Sequence, residues 1–280
     1  MSQAATHKKQ TIISSKGLSA GRQIREVVTH PDLLLTLTWR DLKIRYAQTL
    51  LGFTWSIVQP LFGLVSLFVV FYKLANISTG DIPYLSFALS GLIFWNYFYF
   101  VIQQSAVALV SMQAVIKKIY FPRLSIPLSK TLLGLLDWSI ALLLLIAVLF
   151  WQDSLSLHIL WCLPVLLATM ISALGLGLLV SSFSIRYRDL QQITPFFLQI
   201  LFFLTPVAYP AGILQQLMPE DYRFLIYINP MTGILEIWRH LLFGSSLNSQ
   251  AFISVLIGVL LFTAGLWSFA RTSKKIADII

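Results

Sequence analysis

Apolar residues in this chain fall into long, nearly unbroken blocks, unlike the one-sided stripes of a soluble helix or the alternation of a strand. A block of about 20 residues is the length that crosses the hydrocarbon core of a bilayer. Six blocks predict six spans, at 52–74, 84–110, 126–151, 158–183, 194–209 and 252–270, of which the fifth is short. The expected fold is an all-α membrane protein. Its parts are a flexible tail over 1–29, an interface helix over 30–50, a transmembrane domain over 51–272 and a second tail over 273–280.

Pro31, with Thr29 or His30 as cap and Asp32 in the first turn, marks a helix start before the first span. Leu35, Trp39, Leu42, Tyr46 and Leu50 recur at three- and four-residue steps, whereas Arg40, Asp41, Lys43 and Arg45 mostly take another side. This pattern predicts an amphipathic helix in the membrane interface, with Trp and Tyr at headgroup depth. It serves as an anchor for the first span, a contact surface for a cytoplasmic partner, or both.

Composition supports lipid as the solvent. Charged residues are 11 % of the chain and hydrophobic ones 57 %, with mean hydropathy +0.79, whereas soluble domains carry about a quarter charged residues. The length accommodates the spans and the interface helix but not an ATPase domain as well. The first thirty residues lack an apolar core, so no cleavable signal peptide is expected. Cys162, the single cysteine, excludes an intrachain disulfide.

The net charge of +9 invites a nucleic-acid reading, which its distribution excludes. Of 20 Lys and Arg residues, 17 fall in segments on one side of the predicted spans, leaving Lys73, Arg223 and Arg239 on the other. By the positive-inside rule both termini are cytoplasmic, which requires an even number of spans. The basic excess is a topology signal with attraction to anionic membrane lipids.

Several stretches depart from a plain span. The loop 111–127 is basic and bracketed by Pro122 and Pro127; a short helix over 113–120 would carry Lys117 and Lys118. Across 210–246, apolar runs too short to span are broken by Pro210, Gly212, Pro219, Pro230 and Gly233. That pattern suits re-entrant half-helices, since irregular backbone at membrane depth must be buried in protein or face a water-filled cavity. Glu236, Arg239 and His240 share one helix face there. They form a salt bridge among themselves or meet substrate at an exit. Asp137 is the one acid deep inside a predicted span, and reads as a helix–helix hydrogen-bonding group more readily than as a proton-coupling site.

Dense aromatics in spans one and two face lipid in part, and in part suit a path on which sugar rings stack. Ser172, Ala173, Gly175 and Gly177 in span four permit close helix packing. A P-loop, a metal-type cluster of His and Cys, and a paired-carboxylate or Ser/His/Asp arrangement are all missing from the sequence. No catalytic residue, metal site or cofactor is therefore expected in this chain. A primary transporter without its own ATPase, a secondary transporter or a membrane scaffold is what remains.

The segments WRDLKIRYAQTLLGFTWSIVQPL (39–61), FP (121–122), FFLTPVAYP (202–210) and INPMTGILEIWRHLLFG (228–244) occur in this order. Together they resemble the permease subunits of ABC-2 type polysaccharide exporters, the family of O-antigen, teichoic-acid and capsule export permeases. The resemblance runs from about residue 30 to the end. It implies a homodimer in the bacterial inner membrane, paired with a separate nucleotide-binding subunit that uses ATP and Mg, and a lipid-linked glycan as substrate. It further implies ATPase coupling through Arg40, Lys43, Arg45, Lys117, Lys118 and Arg123. The substrate path would involve Trp55, Phe62, Trp95, Tyr99 and Phe197, and the exit Glu236, Arg239 and His240. The alternatives are an ABC-2 exporter of a small hydrophobic molecule and a membrane-embedded glycan or lipid transferase.

Overall fold

The computed structural model describes residues 20–47, 52–116 and 121–279, and these are helical nearly throughout. Helices α1 (Ala20–Thr29) and α2 (Pro31–Tyr46) precede α3 (Trp55–Leu67), which opens with a 3-10 turn and continues as a π-helix over Phe68–Leu74. There follow α4 (Tyr84–Ser111), α5 (Gln113–Ile116), α6 (Ser125–Trp151), α7 (Cys162–Ser184) and α8 (Leu190–Leu204). After α8 come α9 (Ala211–Gln216), a 3-10 segment Glu220–Ile228, α10 (Pro230–Phe243) and α11 (Ala251–Ile279).

Among the described residues, five helices are long and apolar enough to cross a membrane: Gly52–Leu74, Tyr84–Ser111, Ser125–Trp151, Leu157–Ser184 and Ala251–Ser273. The block expected at 194–209 is instead α8, which has 15 residues and starts four residues earlier. It ends at Leu204 because Thr205 precedes Pro206, and the proline ring pushes the residue before it out of the helical region; Thr205 has ψ 133°. Residues 20–29, expected to belong to a flexible tail, form α1, and Val27 of α1 is buried in a secondary core that also holds Phe269 of α11. The expected short helix over 113–120 is seen over Gln113–Ile116, and its remainder lies outside the described residues.

Helix α4 is the centre of the bundle. Phe94 and Phe98 are fully buried, and Phe94 meets Trp238 of α10 edge-on at 5.3 Å between centroids and Trp138 of α6 at 6.1 Å. The order of contacts along α4 fixes helix directions. Tyr97 donates to the Thr131 carbonyl and Ser86 to Gln152, so α6 runs antiparallel to α4. Helices α7 and α11 run parallel to each other: Ser172 faces Gly258, Gly175 faces Phe262 and Leu178 faces Gly265. At Gly175 a Cβ would lie 2.5 Å from the Phe262 backbone nitrogen, so here the helices touch backbone to backbone. The small residues of α7 serve the close packing anticipated for them. Helices α3 and α11, in contrast, leave most of their apolar surface uncovered, including Phe62, Val65, Leu256 and Trp267.

Candidate functional site

Helix α2 lies against α6, and the face it turns inward is apolar in its first half, through Leu33, Leu34 and Leu37, and charged in its second. Asp41 is 8 % exposed. One of its carboxylate oxygens accepts from Arg40, and the other pairs with Lys130 of α6 at 2.5 Å. One turn on, Arg45 pairs with Asp137 of α6 at 2.5 Å and lies over the Phe100 ring of α4, 4.7 Å from its centroid. Tyr46 donates to the same Asp137 at 3.0 Å and shares a 2.5 Å hydrogen bond with Ser56 of α3. Leu35, Trp39 and Ile44 point outward, exposed. Asp137 is therefore the helix–helix hydrogen-bonding group anticipated for it, through Tyr46, and an ion-pair partner of Arg45 as well. A charge at membrane depth is costly unless it is paired or faces a polar cavity, and α2 brings both the pair and the cavity.

That cavity, about 460 Å³, is bounded by α2, α3, α4 and α6. Its wall holds the Arg45–Asp137 and Lys130–Asp41 pairs, the amides of Gln59, Asn96, Gln103 and Gln104, and the rings of Tyr97, Tyr99, Phe100 and Trp138. On α4 the polar positions 96, 103 and 104 follow helical spacing, so one stripe of a largely buried helix faces the cavity.

The six residues expected to couple to an ATPase divide. Arg40, with 40 % of its side chain exposed, pairs with Asp41, and Arg45 pairs with Asp137. Lys43 is exposed, with its ammonium 5.4 Å from the Trp39 ring centre. Arg123 donates to the Ser273 carbonyl and so ties the start of α6 to α11. Lys117 and Lys118 lie outside the described residues.

The five path aromatics are not gathered into one surface. Trp95 is 4 % exposed, edge-on to Phe202 of α8 at 5.4 Å, and with Tyr99 borders a groove of about 380 Å³ between α4 and α8. Tyr99 also lines the charged cavity. Phe197 is exposed beside the groove, which Phe196 lines instead, and Trp55 and Phe62 are exposed on α3.

At the other end of the bundle, Asn229 caps α10 by accepting from the Met231 N–H at 3.1 Å, with Pro230 at the first helical position. No ion pair joins Glu236, Arg239 and His240 among the described residues, so the salt bridge weighed for them is not formed. Glu236 accepts from the Tyr227 hydroxyl at 2.8 Å and the Asn248 N–H at 2.9 Å, and His240 Nδ1 lies 2.6 Å from the Ser245 carbonyl. Arg239 is buried across the Phe87 ring, 3.6 Å from its centroid, and donates to the carbonyls of Pro206, Val207 and Phe87. Two of these carbonyls belong to the irregular turn after α8, so Arg239 supplies the donors that this broken backbone lacks. Burial pulls the Arg239 pKa down, with Tyr84 and Glu236 acting the other way. Arg239 and Glu236 also border a pocket of about 280 Å³ with Ser78, Thr79 and Ser245.

Sequence reasoning located Arg45, Asp137 and Tyr99 singly and missed the amides. The signal for them was present: polar residues at 96, 103 and 104 on one face of an otherwise apolar span.

A bundle of long apolar helices with a charged, amide-lined cavity between four of them has the architecture of an integral membrane protein. Residues 32–243 match the family model of the ABC-2 type transporter, and the chain belongs to that family. It is similar to the O-antigen export system permease protein RfbA of Klebsiella pneumoniae, 28 % identical over 253 residues that cover 89 % of this chain and 95 % of that one. The protein of the same name from Myxococcus xanthus is 26 % identical over 264 residues, 92 % of this chain and 99 % of its own. The polysialic acid transport protein KpsM of Escherichia coli is 23 % identical over 240 residues, covering 80 % and 89 %.

Proposed function

We propose that this chain is the transmembrane permease of an ATP-driven exporter that moves a lipid-linked polysaccharide across the bacterial inner membrane. The observation that carries this reading is the nearly end-to-end similarity to permeases named for O-antigen export and polysialic acid transport. ATP and Mg belong to a separate nucleotide-binding subunit, and two copies of this chain form the membrane pathway. The exposed apolar faces of α3 and α8, with Phe62, Val65, Phe196 and Phe203, suit contact with a second copy or with lipid.

Six crossings with both termini in the cytoplasm agree with the packing. The parallel course of α7 and α11 supports a crossing between them, which we assign to α8 with the broken segment after it. The half-helices α9 and α10 then sit at the outer face as re-entrant elements. In this orientation α2 lies at the cytoplasmic surface, where a closing ATPase dimer would move it. The ion pairs to α6 and the Tyr46 bond to Ser56 carry that movement into two spans.

The test is depletion of the chain in its host. Surface polysaccharide should disappear and its lipid-linked precursor should accumulate inside. Recovery should require both this chain and a partner ATPase with an intact P-loop lysine. Unchanged surface polysaccharide would refute the reading.

A further inference from the structure

We infer that the cavity enclosed by α2, α3, α4 and α6 is a saccharide-binding subsite, with Gln59, Asn96 and Gln103 as its hydrogen-bonding groups. The inference deepens the reading of the chain as a polysaccharide permease and rests on it. It concerns a pocket within one protomer, separate from the exposed aromatics of α3 and α8.

The amides are the groups that need explaining. Gln59, Asn96, Gln103 and Gln104 all line the cavity, and none makes a side-chain hydrogen bond among the described residues. The indole N–H of Trp138, a residue only 6 % exposed, is also without a partner there. Asn96, Gln103 and Gln104 are half-buried on α4 and Gln59 is exposed at the rim, so their amides are open to water or to a polar ligand. Each primary amide offers two donors and an acceptor, a combination suited to neighbouring hydroxyls of one ring. Phe100, Tyr99 and Trp138 supply apolar faces for the C–H side of such a ring. The positions run from 96 to 104 along α4, about 12 Å at 1.5 Å per residue, and the volume lies within the range of small-molecule sites.

Charge decides between a sugar and the phosphates that would link it to lipid. The ionised groups in the wall are Arg45, Lys130, Asp41 and Asp137, paired at 2.5 Å, and Asp41 also accepts from Arg40 just outside the lining, so both carboxylates already hold cations. A diphosphate entering the cavity would have to displace two carboxylates from their cations. A neutral polyol meets no such competition.

The experiment uses the permease–ATPase complex in detergent and, as probe, labelled oligosaccharide released by mild acid from the host's surface polysaccharide. Equilibrium dialysis should show saturable binding by the native complex. Gln103→Leu and Asn96→Leu should each weaken it by about tenfold, the effect of one or two lost hydrogen bonds, while Gln103→Asn retains most of it. Leucine is favoured in lipid over an amide, so the complex should still assemble, as its size-exclusion retention reports. Inorganic pyrophosphate should not displace the oligosaccharide. Unchanged binding in both leucine variants would overturn the inference, as would displacement by pyrophosphate. If depletion of the chain abolishes surface polysaccharide yet both leucine variants bind normally, the subsite alone fails. If depletion has no effect, the permease reading fails with it.

Discussion

Replacing Asp137 by Asn keeps the shape of the side chain and removes the charge that Arg45 faces. At an effective dielectric constant of about 20, two unit charges some 4 Å apart attract by about 4 kcal/mol. Removing one member of a fully buried pair costs about 3–5 kcal/mol, because the other is left uncompensated. Here the two side chains keep 29 % and 25 % of their surface accessible, so solvent screens part of the interaction. The expected loss for Asp137→Asn is therefore about 2–3 kcal/mol. Arg45→Gln should cost less, since the remaining carboxylate still accepts from Tyr46.

The double variant tests the cause. With neither charge present, the Tyr46 hydroxyl still finds an amide oxygen at position 137, and the cavity supplies polar surroundings. Its loss should fall below the sum of the single losses by about 2 kcal/mol, within the usual range for directly coupled pairs. For a chain of this size 1 kcal/mol shifts Tm by roughly 2–4 °C, so Asp137→Asn should lower Tm by about 4–12 °C and the double variant should recover part of that. Thermal unfolding of the purified protein in one detergent, followed by size-exclusion retention, measures all four. Losses that add to within about 0.5 kcal/mol would mean that the pair does not hold α2 to α6.

Three other expectations follow from packing. Gly175→Ala and Gly265→Ala each force a methyl group into the partner helix's backbone and should destabilise by about 1–3 kcal/mol; Gly212→Ala, with open space around it and an ordinary φ, should leave Tm unchanged in the same assay. Arg239→Lys keeps the charge but replaces a planar fork on three carbonyls by a point donor, which should cost about 2–4 kcal/mol and open the turn at 205–210 to limited proteolysis. Protection of that turn equal to the native chain would count against the clamp. Cys162 is 5 % exposed, so a membrane-permeant maleimide should modify it only after unfolding, and rapid stoichiometric labelling of the folded protein would contradict its burial.

The long helices were legible because a membrane demands a simple signal, unbroken apolar length. The second predicted span, 84–110, differs from α4 by one residue at its end. The turn chemistry at 229–233 was legible too, since Asn229 and Pro230 act through local backbone geometry. Tertiary partners were not. Glu236, Arg239 and His240 share a helix face, yet the partners of Glu236 and Arg239 lie on other segments of the chain. A helix face shows which side chains travel together and says nothing about which neighbour they meet.

Helix α2 makes the same point more sharply. Its pattern separates Leu35 and Trp39 from Asp41 and Arg45, and a rule learned on soluble proteins sends the charges to water. In an interface helix an apolar residue has a good solvent in lipid, so Leu35 and Trp39 need not turn toward protein as Leu37 does. The charged face then gains more from opposite charges on a neighbouring helix than from the headgroup region. Such a neighbour is written in the sequence: Asp41 and Arg45 stand four apart, acid then base, while Lys130 and Asp137 stand seven apart, base then acid. Both spacings return to one helix face, so the two pairs match end to end when α2 lies along α6, as the two 2.5 Å contacts record. Complementary charge order on a membrane span and an adjoining interface helix is therefore a pairing signal, and it separates a helix that is held by the bundle from one that merely floats on the bilayer.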